Sequence, residues 1–112
     1  MPLSPLLADF LLEQGFIKTK AKLQDSKQLK TVLTKSIYVG RVSAKEPKQL
    51  DLPIHRAARM GRIELLEEII ENHEIEADQV RADGVTPLLI ASQEGYENVV
   101  ECLLASGANI NQ

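Results

Sequence analysis

The side chains of this sequence that could carry chemistry are two histidines, one cysteine and several adjacent acids. His55 and His73 lack the accompanying set of spaced Cys, Asp or His residues that would complete a zinc site. Cys102 has no recognisable base and orienting group to activate it as a nucleophile. We expect adjacent acids such as Glu67 and Glu68 to lie on the solvated side of a helix. No glycine-rich phosphate loop follows a strand-like segment. The residues therefore predict no catalysis, no cofactor and no metal.

Two segments of the chain repeat each other at a spacing of 34 residues, Leu52–Gly61 (LPIHRAARMG) and Thr86–Gly95 (TPLLIASQEG). Pro53 and Pro87 both suit the first turn of a helix, where a missing N–H costs nothing. Apolar residues continue the register and give each segment a second, amphipathic helix: Leu65, Leu66, Ile69 and Ile70 align with Val99, Val100, Leu103 and Leu104. A repeat of this length predicts a solenoid of stacked helix pairs.

Glycines predict where most of these helices end. Gly61 and Gly95 fit the left-handed turn that closes a short helix and reverses the chain. The segment Asn72–Asp78 between the repeats has one extra residue and no glycine at the position that matches Gly107. Asn72 or His73 must therefore close the first outer helix less comfortably.

The TPLH-like starts, the paired small residues, the helix-ending glycines and the closing Gly107-Ala108-Asn109-Ile110-Asn111 resemble ankyrin repeats. The resemblance covers about Lys48 to Gln112. It implies an all-α solenoid of stacked helix-turn-helix units with short hairpin loops, preceded by an N-terminal helical segment. We divide the chain into a basic N-terminal segment, repeat 1 and repeat 2, at residues 1–50, 51–83 and 84–112.

Several positions depart from the family pattern. In the family the threonine and the histidine of the TPLH element form a hydrogen bond. Here repeat 1 has His55 but Leu52 in place of the threonine, and repeat 2 has Thr86 but Leu89 in place of the histidine. Thr86 can cap its helix whereas Leu52 cannot, so repeat 1 should start about 1 kcal/mol less firmly. Arg56 stands where the family places an apolar residue facing the adjoining repeat. We therefore expect little to stack tightly on that side.

The first fifty residues are less regular. Ser4 and Pro5 begin an apolar helical pattern that Gly15 ends, and a second helix is predicted around Leu29 to Leu33. The segment could be a degenerate repeat or a helical cap, and Ile37–Val39 has strand character. Residues 1–50 carry nine basic residues against four acids, a net charge of +5, whereas the rest carries −8. This change in composition places a boundary near Glu46 and Pro47.

The resemblance implies a non-catalytic module that binds another protein on its concave face, as a scaffold or adaptor. The alternative is a targeting or regulatory module of a larger enzyme or channel that continues beyond residue 112. Carried over by position, the expected protein-binding residues are Lys48, Gln49, Asp51, Arg59, Met60, Ala82, Asp83, Val85, Gln93 and Glu94. The acidic repeats disfavour nucleic acid as a partner. We expect further ankyrin repeats to follow in the parent chain.

Composition also indicates where the protein resides. No run of 18 apolar residues could span a membrane, and the N-terminus lacks the basic region of a secretory signal. The single Cys102 agrees with a reducing compartment. We therefore expect an intracellular protein, cytoplasmic or nuclear.

Overall fold

The computed structural model describes residues 4–19, 26–34, 51–81 and 83–108. Within these ranges the chain forms six helices and no strand, which confirms the all-α fold class. The helices are α1 (Pro5–Glu13), α2 (Ser26–Thr34), α3 (Pro53–Arg59), α4 (Ile63–Asn72), α5 (Pro87–Glu94) and α6 (Glu97–Ala105). The strand-like Ile37–Val39 and the boundary near Glu46 lie outside the described residues.

The two repeats begin with the asymmetry that the sequence predicts. The Thr86 hydroxyl accepts a hydrogen bond of 3.2 Å from the Leu89 amide at the start of α5, while Leu52 offers α3 no side-chain cap. Each short helix then turns through a glycine with positive φ, 70° at Gly61 and 78° at Gly95. This turn lets α4 and α6 start immediately and pack back against α3 and α5.

The outer helix α4 ends without a glycine, as the spacing predicts. His73 is its C-cap, and the left-handed residue is Glu74, with a φ of 56°. The Ile75 amide reaches back to the Ile69 carbonyl at 3.4 Å. Because a side chain in the left-handed region is strained, this end of repeat 1 is less stable than a glycine-closed helix end.

The helices stack in layers around one apolar core. The inner helices α3 and α5 pack side by side, as do the outer helices α4 and α6. On the other side of repeat 1, α2 packs against α3 and α1 packs against α4. The core therefore continues from the N-terminal helices through both repeats, and its fully buried members include Leu7, Leu33, Ile54, Leu66, Ile69 and Leu103.

The expectation that little stacks against Arg56 is wrong. Its guanidinium donates to the Gln14 side-chain oxygen at 2.9 Å and lies 5.8 Å from the centre of the Phe16 ring. Both partners follow α1 in the chain, so the N-terminal segment supplies the contact that a preceding repeat would otherwise make. An arginine suits this position because its planar head can stack on an aromatic ring while it hydrogen-bonds at its edge.

Candidate protein-binding surface

One buried carboxylate, directly before α3, organises the contact between the starts of the two repeats. Asp51 is completely buried and accepts hydrogen bonds from three arginines. Arg59 binds it through two nitrogens at 2.8 and 3.1 Å, and Arg56 donates at 3.2 Å. The third donor is Arg81, which comes from the next hairpin. Asp51 therefore joins the start of α3 to the hairpin that precedes α5.

The charges in this network compensate one another. Burial raises the pKa of Asp51, but the hydrogen bonds and positive charges of Arg59, Arg81 and Arg56 outweigh burial and hold that pKa below its usual value. Arg81 is itself nearly buried and bonds the carboxylate of Asp83 at 2.7 and 3.0 Å. This bonding lowers the pKa of the Asp83 carboxyl. Both carboxyl groups have lowered pKa values and stay ionised at neutral pH, so the network is a fixed support.

His55 makes the second link between the repeats. It is fully buried, and its Nε2–H donates to the Val85 carbonyl of the following hairpin at 2.8 Å. Burial lowers the pKa of His55 to about 4, so the ring is neutral at physiological pH. Its Nδ1 is buried without a hydrogen-bond partner. The histidine thus acts as a structural tie between the repeats.

The structure brings several of the predicted binding residues together across the two repeats. Met60 is 41% exposed at the end of α3, and Gln93 and Glu94 are exposed at the end of α5. Arg59 Nη1 lies 3.8 Å from Glu94 Oε1, so the ends of α3 and α5 form one continuous surface. We call the surface made by Arg59, Met60, Gln93 and Glu94 the inner-helix surface.

The remaining predicted binding residues are spread over different environments. Asp83 is exposed at the hairpin and Val85 is half-buried. Asp51 is inside the stack, where its carboxylate is saturated by arginine donors. It can reach a partner only through the arginines that it holds. Lys48, Gln49 and Ala82 lie outside the described residues.

Two residues that sequence reasoning did not select contribute to this side of the molecule. Arg81 links its hairpin to Asp51 at the start of repeat 1, and the signal that could have revealed it is an arginine two residues before Asp83 in a chain segment otherwise rich in acids. Tyr96 is partly exposed, and its ring packs on the backbone of Gly61, next to Met60. Tyrosine is enriched among residues that dominate protein interfaces, so the position of Tyr96 at the start of α6 is informative.

The described residues show no arrangement suited to other chemistry. No group of three or more His, Cys, Asp or Glu side chains in these ranges could hold a metal ion. Cys102 is a free, half-buried thiol whose pKa is raised by burial, with the nearby Glu67 and Glu71 adding to the effect. Among the helices of the described ranges, none has the length and apolar character to cross a bilayer.

Residues 22–112 match a family model described as ankyrin repeats in three copies. The chain is 31% identical over 78 residues to the human ankyrin repeat and SAM domain-containing protein 3, covering 68% of this chain and 12% of that protein. It is 36% identical over 59 residues to alpha-latrotoxin-Lh1a of Latrodectus hasselti, covering 53% and 4%. With the E3 ubiquitin-protein ligase KEG of Arabidopsis thaliana it shares 40% identity over 57 residues, covering 51% and 4%. The chain thus spans a small part of these relatives.

Proposed function

Because the chain belongs to the ankyrin-repeat family, whose repeats generally bind other proteins, we propose that it is a non-catalytic recognition module that holds a protein partner on its inner-helix surface. The family prediction from the sequence is confirmed, and the matched region starts at residue 22, before the Lys48 at which the resemblance begins. We also propose that it acts as a scaffold or adaptor and that it resides in the cytoplasm or the nucleus.

The contact between Arg59 and Glu94 is the observation that carries the proposal. It joins the two repeats across 3.8 Å at the surface, while Arg59 is anchored from below by the buried Asp51. An arginine fixed in this way loses little further freedom when a partner binds, which favours affinity. The exposed Met60 adds an adaptable apolar contact beside it.

We further propose that another repeat stacks, in the parent protein, on the side of repeat 2 that faces away from repeat 1. His55 and Ala58 are fully buried on α3, the helix of repeat 1 that packs against α5 of repeat 2. Their equivalents in repeat 2 are Leu89, which is 45% exposed, and the exposed Ser92. On the outer helix, Leu104 is likewise 39% exposed. An apolar face of this kind suits the packing that repeats 1 and 2 already show.

A second candidate function is the targeting or regulatory module of a larger enzyme or channel. The name of one relative, an E3 ubiquitin-protein ligase, favours this alternative because an enzyme there contains a similar stretch. Both functions need the same recognition surface, so they differ in what the rest of the parent protein does. The sequence beyond residue 112 would distinguish them.

A binding experiment with matched variants tests the inner-helix surface. Cell extract is passed over the immobilised chain, and the captured proteins are quantified by mass spectrometry and then titrated individually. We expect the change of Arg59, Met60, Gln93 and Glu94 together to alanine to weaken the specific partner about tenfold or more, roughly 1.4 kcal/mol.

The control variant carries Glu97→Ala and Glu101→Ala, which change exposed residues of the outer helix α6. It should bind like the wild type. Full-strength binding by the quadruple variant, with an unchanged helical circular dichroism spectrum, would place the contact elsewhere. The lysine-rich first fifty residues would then be tested by the salt dependence of binding.

A further inference from the structure

The first helix of the chain is packed differently from the helices of the repeats. Ser4, at its start, bonds Glu68 in the second half of α4, whereas Phe10 lies under Arg62, at the start of α4. Gln14, beyond its end, bonds Arg56 of α3. The order of the contacts is reversed along the two chains, so α1 runs antiparallel to α4. Outer helices that follow the repeat translation would run parallel.

The helix α1 is amphipathic, and its apolar side packs against the repeats. Leu7, Phe10 and Leu11 are almost completely buried, while Leu6 and Leu12 on its other side are each 39% exposed. Its buried residues have the i, i+3, i+4 spacing by which a helix docks into an apolar groove of another protein. The ankyrin match starts at residue 22, so α1 also lies outside the part of the chain that the family model covers.

The surface beneath α1 has polar groups that fix the position of a helix. Both oxygens of Glu68 are bonded by Ser4, one by its hydroxyl and the other by its amide at 3.3 Å. The Ser4 hydroxyl also caps α1 by accepting from the Leu7 amide at 3.2 Å. The opposite end of the surface carries Arg56 and Arg62, each stacked near an aromatic ring, 5.8 Å from Phe16 and 6.0 Å from Phe10.

A buried histidine lies beside the hydrogen bonds between Ser4 and Glu68. His73 Nε2 is buried without a hydrogen-bond partner and lies 3.5 Å from Glu68 Oε2. Ser4 therefore makes the hydrogen bonds that the structure gives the Glu68 carboxylate, and this carboxylate is presented to the helix N-terminus that lies on the surface. This corrects the expectation that Glu68 faces solvent, since its side chain is only 11% exposed.

We propose that the surface covered by α1 is a helix-binding groove, lined by α4 and by Arg56 of α3, and that α1 occupies it as an internal ligand. The partner it fits is an amphipathic helix with apolar side chains at i, i+3 and i+4 and a capping serine or threonine three residues before the first of them. Glu68 recognises the capping residue, and the arginines stack on aromatic side chains of the helix. A partner helix binds by displacing α1.

The test uses the full 112-residue chain and a fluorescent peptide of residues 1–19. Phe10→Asp in the chain places a charge at the buried face of α1 and vacates the groove without shortening the protein. Fluorescence anisotropy should show that this variant binds the peptide about tenfold or more tightly than the wild-type chain does. Equal affinity for the two chains would overturn the proposal, because the peptide would then bind outside the groove.

Peptide variants distinguish docking from general stickiness. Leu7→Ala and Phe10→Ala in the peptide should each weaken binding about tenfold or more, whereas Leu6→Ala and Leu12→Ala should leave it unchanged. Ser4→Ala should weaken binding to the Phe10→Asp chain but not to a chain that also carries Glu68→Ala. Equal effects of exposed and buried leucines, or a Ser4 effect independent of Glu68, would contradict the groove.

Two further measurements use the wild-type chain. Hydrogen exchange should show that the amides of α1 open at a lower free energy than those of α3 and α5, because an internal ligand detaches without global unfolding. Equal protection would show that α1 does not detach separately from the repeats and would overturn the proposal, as would a Phe10→Asp chain that fails to fold. Sedimentation should find a monomer. A dimer that Phe10→Asp dissociates would assign the groove to α1 of a second copy instead.

Discussion

Lowering the pH from 7 to 5 should destabilise the protein through the histidine that ties its two repeats together. His55 is fully buried, and burial lowers its pKa to about 4 from an ordinary value of 6.5. Between these two values the unfolded chain binds a proton on this ring and the folded chain does not. The stabilisation is therefore complete above pH 6.5 and is lost as the pH falls toward 4.

The pKa difference sets the size of the effect. Over the whole interval it corresponds to about 3 kcal/mol, and between pH 7 and pH 5 the contribution of His55 is about 2 kcal/mol. A small array with a total stability on the order of 5 to 15 kcal/mol would lose a substantial part of it. Asp51 acts at lower pH, because its depressed pKa means that its stabilisation is lost only as its carboxylate becomes protonated in acid.

Urea unfolding followed by circular dichroism measures this contribution, in wild type and in His55→Gln at pH 7, 6 and 5. Glutamine cannot titrate, but its amide can still donate to the Val85 carbonyl. We expect the variant to lose about 2 kcal/mol less than wild type between pH 7 and 5. His73→Gln is the matched control and should retain the His55 contribution. Parallel pH curves for wild type and His55→Gln would refute the assignment of the buried neutral ring.

The helical repeats follow directly from local signals in the sequence. Proline at the first helical position and glycine after the last one act within a few residues, so Pro53, Gly61, Pro87 and Gly95 mark the ends of α3 and α5. Even the irregular end of α4 could be predicted, because the missing glycine is itself a local feature. Only the residue that takes the left-handed conformation, Glu74, needed the structure.

The contacts of the N-terminal helix could not be predicted in the same way. Arg56 reaches Gln14 across 42 positions, and Glu68 reaches Ser4 across 64. Neither separation is related to the 34-residue spacing that organises the repeats, so alignment of one repeat with the other says nothing about them. A repeat pattern predicts how equivalent units stack, but it carries no information about an additional helix that packs in the reverse direction.

The inner-helix surface could be predicted from the sequence only in part. Positions carried over from the family brought Arg59, Met60, Gln93 and Glu94 to one side of the stack, because they occupy equivalent turns of α3 and α5. The burial of Asp51 and Arg81 was not visible in the sequence. Asp51 looks like an ordinary surface acid until Arg81, 30 residues later, is found to bond it.

Two further predictions concern these particular positions. Glu74→Gly should raise the free energy of unfolding by about 1 kcal/mol, because glycine adopts the left-handed conformation without strain. Glu74→Ala is the control, because alanine keeps the strain. If urea titrations showed the same gain in stability for Glu74→Ala, strain at this position would not be the cause. Asp51→Ala should cost about 3 to 5 kcal/mol, since it leaves the nearly buried Arg81 and two further arginines without their shared carboxylate. Asp83→Ala removes the other carboxylate of Arg81, but that side chain is 37% exposed, so water can replace it and the cost should be roughly 1 kcal/mol or less. If thermal and urea unfolding showed Asp51→Ala and Asp83→Ala to be equally stable, Asp51 would be one more surface ion pair, and its bond to Arg81 would not hold the inner-helix surface together.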